Sequence, residues 1–217
     1  MKVNVITFPG SNCDKDIGTI LTNQFQADVQ YIWHKDQFEN KPDLVVLPGG
    51  FSFGDYLRCG AMAKFSNAMK SVLQHVDRGG MVLGVCNGFQ ILTESGLLPG
   101  ALLHNRTLKY ICKDVNLKPV HNNKIAEQIQ KQSLSIPIAH GEGAYYAEPD
   151  VLKEIEEKGQ VVFRYETNPN GSLNDIAGIS NQNFKVIGMM PHPERAMNPY
   201  TNHLDGKLIF EAIFSNL

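Results

Sequence analysis

Short apolar runs alternate with amphipathic segments along the first half of the chain. The apolar runs, rich in Val, Ile and Leu and bounded by Gly, Pro or Asn, predict buried strands at residues 3–8, 28–33, 44–47 and 81–85. The segments between them predict helices at about residues 14–25, 59–76 and 89–95. Because strands and helices alternate, we predict an α/β fold with an open, mostly parallel central sheet and helices on both faces.

The second half of the chain has a less regular pattern. It predicts strands at residues 110–120, 134–138, 161–165 and 186–190, and helices at residues 149–158 and 204–214. A polar segment before residue 134 suits a short helix. We find no internal repeat and no low-complexity linker. At 217 residues, the length favours one domain spanning residues 1–217.

Composition excludes several classes of function. Hydrophobic residues make up 42% of the chain and charged residues 19%, so a buried core is expected. The net charge of −2 and the scattered Lys and Arg offer no basic surface for nucleic acid or a membrane. The four cysteines are widely spaced and form no Cys-x-x-Cys pair, which argues against a zinc ribbon or a thioredoxin-type pair, and we expect no metal site. We therefore expect a cytoplasmic protein with reduced thiols.

The stretch from Gly84 to Gln90, Gly-Val-Cys-Asn-Gly-Phe-Gln, joins a predicted strand to a predicted helix. Gly-x-Cys-x-Gly at such a junction has the form of a nucleophile elbow, with Cys86 as the nucleophile. A helix N-terminus favours the thiolate form of a cysteine. The alternative is a buried structural cysteine between two loop glycines.

A cysteine nucleophile needs a base, and His192 is the candidate. It follows the predicted strand 186–190, so in a parallel sheet it would lie at the same edge as Cys86. Glu194 lies two residues further on. If this segment is extended, both side chains point the same way and Glu194 can orient the imidazole ring. The alternative is an ordinary turn histidine between two prolines.

The third feature is Pro48-Gly49-Gly50, which also ends a predicted strand. Glycines there would expose backbone N–H groups to a substrate. Together with the N–H of Asn87, the residue after the nucleophile, they would hold an oxyanion. The alternative is a simple Gly-rich turn. Three strand ends that each supply a different catalytic part favour a nucleophilic enzyme.

In this order, the three motifs resemble the class I (triad) glutamine amidotransferases, which have a flavodoxin-like sheet. Longer stretches are similar to one branch of that family, the glutaminase subunits of phosphoribosylformylglycinamidine synthase: residues 8–14, 48–61, 84–90, 140–143 and 191–194. The resemblance covers nearly the whole chain and shows no departure at a catalytic position.

This resemblance implies that Cys86 is the nucleophile, His192 the general base and acid, and Glu194 its orienter. Gly50 and Asn87 would supply oxyanion donors. The residues implied to border the glutamine pocket are Gly49, Gln90, His140 and Gly141. Cys59 would pack near the oxyanion loop, and Cys13 and Cys112 would be structural.

The implied activity is hydrolysis of L-glutamine to glutamate and ammonia through a cysteine thioester. The ammonia would pass to a separate synthetase subunit that converts formylglycinamide ribonucleotide to formylglycinamidine ribonucleotide, with a small third subunit bridging the two. No nucleotide-binding motif occurs in this chain, so we expect no cofactor here and place ATP and Mg²⁺ on the partner.

Two other functions stay open from the sequence. The first is an amidotransferase subunit that serves a different synthetase; the motif at residues 51–61, which resembles the phosphoribosylformylglycinamidine synthase branch, argues against it. The second is a non-enzymatic redox sensor of related fold, which would be favoured if Cys86 lay far from His192 and Glu194.

Overall fold

The computed structural model describes residues 1–198 and 203–217. Its strands are β1 (Lys2–Thr7), β2 (Asp28–Trp33), β3 (Leu44–Leu47), β4 (Met81–Val85), β5 (Ala101–His104), β6 (Ile111–Pro119), β7 (Leu134–His140), β8 (Glu142–Tyr146), β9 (Val161–Tyr165), β10 (Ile176–Ser180) and β11 (Val186–Met189). Its α-helices are α1 (Asp14–Phe25), α2 (Asn67–Asp77), α3 (Asn87–Glu94), α4 (Pro149–Glu157) and α5 (Asp205–Phe214).

Nine strands form the main sheet in the order β2-β1-β3-β4-β11-β10-β9-β6-β7, and β5 pairs with β8 in a small second sheet. Strands β2, β1, β3, β4 and β11 pair in parallel. The pairs from β11 to β7 are antiparallel. The predicted α/β class with a mostly parallel sheet is confirmed, and antiparallel pairing extends one side of it.

The central strands β3 and β4 are covered on both faces. Every residue of both strands is buried. Since successive side chains of a strand point to opposite faces, complete burial requires packing layers on both sides of the sheet. Helix α3 packs on β3, β4 and β11, whereas α1 meets α5 through Phe25, Phe210 and Phe214.

Most predicted elements are confirmed, but the predicted helix at residues 59–76 begins too early. Residues 63–65 form a 3₁₀ turn, and helix α2 begins only at Asn67. The Ser66 hydroxyl caps it by accepting a hydrogen bond from the Met69 N–H at 3.3 Å. Gly60, at φ +81°, breaks helical geometry before this point.

Strands β5, β8 and β10 were not predicted. Strand β10 is buried throughout but reads Ile-Ala-Gly-Ile-Ser, whose small residues have weak strand propensity. A Cβ on Gly178 would come within 2.9 Å of the Gly188 carbonyl oxygen of β11. The neighbouring strand β11 therefore packs so closely against β10 that a glycine is favoured at position 178.

No helix within the described residues is long and apolar enough to cross a membrane.

Candidate functional site

Cys86 lies between β4 and α3 in a strained backbone conformation. Its φ of 51° and ψ of −106° fall outside the regions that L-residues ordinarily adopt. The Cys86 carbonyl accepts hydrogen bonds from the N–H groups of Phe89 and Gln90, which hold the turn. The side chain is buried, and its thiol points to the carbonyl of Ala139 at 3.7 Å. The predicted elbow is present, and α3 begins at Asn87, directly after the cysteine.

The two glycines of the elbow allow strand and helix to cross closely. A Cβ on Gly88 would lie 1.9 Å from the Leu47 carbonyl oxygen of β3, and one on Gly84 would lie 2.7 Å from the Gly88 backbone. Both contacts are shorter than any real Cβ contact. The glycines therefore fix how deeply α3 sits against the sheet and where Cys86 stands.

We expect Gly88→Ala to lower the free energy of unfolding by about 3 kcal/mol, because the added methyl overpacks backbone that cannot shift freely. Urea unfolding measures the change. Gly96→Ala is the control: Gly96 has φ +73° but no atom near its missing Cβ, so its cost should be only about 1 kcal/mol. Equal losses at the two positions would contradict the packing argument.

His192 and Glu194 form a buried pair at the end of β11. They are 2% and 4% exposed, and His192 Nδ1 lies 2.6 Å from Glu194 Oε1. The segment is not extended as expected: Pro193–Arg195 forms a 3₁₀ turn, and this turn brings the carboxylate back to the ring. Because a carboxylate only accepts, Nδ1 carries a proton, and in the neutral ring Nε2 is then an acceptor. Nε2 has no partner among the described residues.

Charge around His192 favours the imidazolium form. Burial alone would lower the pKa of His192, but the Glu194 carboxylate and the Cys86 sulfur outweigh it and raise the pKa well above its ordinary value. A ring that is hydrogen-bonded to Glu194 and shares a small cavity with Cys86 can take a proton from the thiol and keep it. This is the electrostatic arrangement that a thiolate nucleophile requires.

Gly49 and Gly50 approach this pair from the end of β3. A Cβ on Gly49 would lie 2.7 Å from His192 Cε1, so its absence makes room for the ring. Gly50 has φ +143°, and a Cβ there would meet backbone atoms of residues 10–12. Within residues 1–198 and 203–217, the N–H groups of Gly50 and Asn87 have no backbone acceptor, whereas that of Phe51 donates to Gly10.

A cavity of about 210 Å³ opens beside Cys86. Of the residues predicted to border the glutamine pocket, Gln90, His140 and Gly141 line this cavity and Gly49 does not. Of the predicted oxyanion residues, Gly50 lines it, whereas Asn87 is buried and does not. A smaller adjoining cavity of about 30 Å³ is shared by Cys86, His192 and Gly50. A larger cavity of about 420 Å³ lies elsewhere, near residues 38–42 and 71–80, and contains none of the predicted site residues.

Sequence comparison identifies the family. Residues 1–208 match the model of the CobB/CobQ-like glutamine amidotransferase domain. The chain belongs to this glutamine amidotransferase family. The resemblance that the motifs indicated is thereby confirmed.

Individual relatives of this amidotransferase have specific names. Two Leptospira interrogans proteins, from serovars copenhageni and Lai, are named phosphoribosylformylglycinamidine synthase subunit PurQ; each is 58% identical over 219 residues, with both chains fully covered. A chain of the PurLQS structure from Thermotoga maritima is 40% identical with a TM-score of 0.87, covering 99% of this chain and 98% of that one. A second Thermotoga maritima protein, described as a glutamine amidotransferase, is 19% identical with a TM-score of 0.59 and shares the fold; the match covers 100% of this chain and 91% of that one.

Two features of the amidotransferase site carried no sequence signal. Asn105 is fully buried and links two pocket segments: its Nδ2 donates to the carbonyls of Lys109 and His140, and its Oδ1 faces His140 Nδ1 at 3.0 Å. Arg195 donates to the buried Cys13 sulfur at 3.1 Å. No sequence pattern gave Asn105 a role, and Cys13 was expected only to be structural, so only the folded chain reveals their contacts.

Cys13 Sγ, a His192 nitrogen and a Glu194 oxygen lie within 4.8 Å of one another, a spacing that one metal ion could bridge. Their chemistry does not suit a metal. Burial raises the pKa of Cys13 to about 12 despite the Arg195 cation, so the thiol keeps its proton. The His192–Glu194 hydrogen bond already occupies Nδ1 and one carboxylate oxygen, which leaves only His192 Nε2 and Glu194 Oε2 without a partner among the described residues.

His140 should make the protein sensitive to acid. Burial, reinforced by His192, lowers its pKa from 6.5 to about 4. Between these values the unfolded chain binds a proton that the folded chain does not, so stability is lost as the pH falls from 7 towards 4. We expect wild type to lose about 2 kcal/mol more than His140→Gln between pH 7 and pH 5, measured by urea unfolding at both values. Parallel losses would contradict a buried neutral imidazole.

Proposed function

We propose that this chain is the glutaminase subunit of phosphoribosylformylglycinamidine synthase and acts in purine biosynthesis. It hydrolyses the side-chain amide of L-glutamine and supplies ammonia to a synthetase subunit. The observation that carries the proposal is the strained Cys86 beside the buried His192–Glu194 pair. Full-length relatives at 58% identity with that name support the specific synthase.

In the proposed reaction, the Cys86 thiol gives its proton to His192 Nε2 and the thiolate attacks the carboxamide carbon. The Glu194 carboxylate holds the ring through Nδ1 and stabilises its positive charge. The free N–H groups of Gly50 and Asn87 hold the oxygen of the tetrahedral intermediate. His192 then protonates the departing ammonia, which leaves Cys86 as a thioester.

Water completes the cycle. His192, now neutral, takes a proton from a water molecule that attacks the thioester carbon. The second tetrahedral intermediate collapses, glutamate leaves and the proton returns to the sulfur. No step uses a group from outside the chain, so we propose that this subunit needs no cofactor.

The proposed pocket residues act mainly through their backbone and shape. Gln90 has both ends of its amide engaged, because its Oε1 accepts from Asn87 and its Nε2 donates to the Glu142 carbonyl at 2.6 Å. It therefore fixes the cavity wall next to the substrate. Gly49 leaves space for the His192 ring, and Gly141 and His140 form the opposite wall.

We further propose that a separate synthetase subunit, with ATP and Mg²⁺, covers the site in the cytoplasm, and that a small third subunit bridges the two. The mouth of the cavity is rimmed by the exposed apolar side chains of Phe51, Leu108 and Tyr110. Apolar groups around an opening suit a protein contact that shields ammonia from solvent. The similar Thermotoga maritima chain comes from a structure described as PurLQS.

Labelling by 6-diazo-5-oxo-L-norleucine, a glutamine-derived electrophile, tests the glutaminase function. We expect one adduct on Cys86 by mass spectrometry, its loss in Cys86→Ala, and faster labelling when the synthetase subunit is present. A Cys86 that oxidises but never takes the label would favour the redox sensor. The small cavity that His192 shares with Cys86 already argues against that alternative, and the 58% identity argues against another synthetase.

A further inference from the structure

A buried hydrogen bond joins the loop after β3 to the first residue of the elbow helix. The Ser52 N–H donates to Asn87 Oδ1 at 3.1 Å, and the two residues are 2% and 1% exposed. The N–H groups on either side, at residues 51 and 53, donate instead to carbonyls of the turn after β1. The Asn87 side chain therefore holds this loop from the side of the nucleophile.

The same hydrogen bond links the two segments that carry the proposed oxyanion donors. Asn87 supplies one donor through its own N–H, and Ser52 follows Gly50, the source of the other, by two residues. Glycine is the residue least restrained by its own backbone conformation. The direction of the Gly50 N–H therefore depends on how the residues next to it are held.

Two further hydrogen bonds fix the orientation of the Asn87 amide. Asn87 Nδ2 donates to Gln90 Oε1 at 2.9 Å, and Gln90 Nε2 donates to the Glu142 carbonyl at 2.6 Å. A backbone N–H only donates and a backbone carbonyl only accepts. The Ser52 and Glu142 ends of this series therefore allow one orientation of both amides, in which Asn87 Oδ1 faces the loop.

The Asn87 side chain does not contact the space open to a substrate. It lines neither the 210 Å³ cavity nor the 30 Å³ cavity beside Cys86. Without it, the Ser52 N–H would be buried with no acceptor, which is unfavourable. The loop would then shift until this N–H found another partner, and Gly50 would shift with it.

We propose that the side chain of Asn87 positions the Gly50 N–H relative to the N–H of Asn87 itself. This inference rests on the proposed glutaminase function and gives the Asn87 amide a task separate from that of its backbone. One residue then supplies one oxyanion donor and holds the other in place. Both donors must point at one oxygen in the tetrahedral intermediate, so the side chain affects turnover more than glutamine binding.

The test replaces Asn87 by leucine, which has a similar volume but no acceptor for the Ser52 N–H. Release of ammonia from L-glutamine, with the synthetase subunit present, should fall about 10- to 100-fold, because an oxyanion donor is misplaced. Protection of Cys86 against iodoacetamide by L-glutamine should need the same concentration as in wild type. The rate of labelling without ligand should also be unchanged, since alkylation by iodoacetamide forms no oxyanion.

Thr93→Val is the matched control and should keep wild-type turnover. Thr93 is a buried polar residue of the same helix, and its hydroxyl donates to the Gln90 carbonyl within α3, away from the loop. Asn87→Ala is the second variant. It should lose as much turnover as Asn87→Leu if the missing hydrogen bond, and not the side-chain volume, is the cause.

Two results would overturn the positioning role while leaving the glutaminase function intact in an active wild type. In the first, Asn87→Leu keeps full turnover. In the second, its labelling rate and its protection by L-glutamine fall together with turnover, which would mean that the side chain only supports the elbow. If wild type with its synthetase subunit neither releases ammonia nor is protected by L-glutamine, the proposed function itself fails.

Discussion

Replacing Cys86 by alanine should reduce glutamine hydrolysis by about 10⁴-fold or more, because no other group can form the thioester. The measurement is ammonia release from L-glutamine by the chain together with its synthetase subunit. The same variant should leave ammonia-dependent synthesis by the complex unchanged, since that step does not use the cysteine. Loss of both activities would point to a damaged interface instead of a missing nucleophile.

Alanine is suitable here because the strain at this position is already present. Cys86 has φ +51°, and alanine has the same Cβ, so the variant should keep the fold within about 1 kcal/mol. Cys112→Ala is the matched control: Cys112 is an exposed cysteine on β6, outside the cavity. It should retain full activity. Substantial glutaminase activity in Cys86→Ala would contradict covalent catalysis by this residue.

The parallel half of the fold could be predicted because its signals are local. Strands β3, β4 and β11 are short runs of apolar residues and glycine, and each catalytic motif follows one of them. Parallel strands place their carboxyl ends at one edge, so motifs far apart in sequence were expected to meet. His192 and Cys86 line the same small cavity, which agrees with that expectation.

The other features of the fold and the site could not be predicted, because they depend on the exact geometry of a local turn or on the packing of segments that are distant in sequence. The 3₁₀ turn after His192 brings Glu194 to the ring, whereas an extended segment had been expected to do so. Asn105 joins the carbonyl of His140 to its own loop, a contact that no spacing rule predicts.

Glu194→Gln should lower glutaminase turnover by roughly 10³- to 10⁴-fold, the loss typical when the orienting carboxylate of a catalytic triad becomes an amide. The substitution keeps the volume of the side chain but removes its charge. An amide can present either its oxygen or its NH₂ group to His192 Nδ1, so the ring is no longer held in one tautomer. Glutamine binding, measured as protection of Cys86 against iodoacetamide by L-glutamine, should change little because Glu194 does not line the 210 Å³ cavity beside Cys86.

The pH dependence distinguishes an electrostatic role from simple misfolding. The Glu194 carboxylate helps to raise the pKa of His192, and its removal lets burial lower that pKa. Protonation of the departing ammonia requires imidazolium, so the alkaline limb of the pH–rate profile should move to lower pH in the variant. A Glu127→Gln control, which changes an exposed carboxylate, should leave the limb in place. A reduced rate with an unshifted limb would mean that Glu194 only supports the structure, because the charge on His192 would then owe nothing to it.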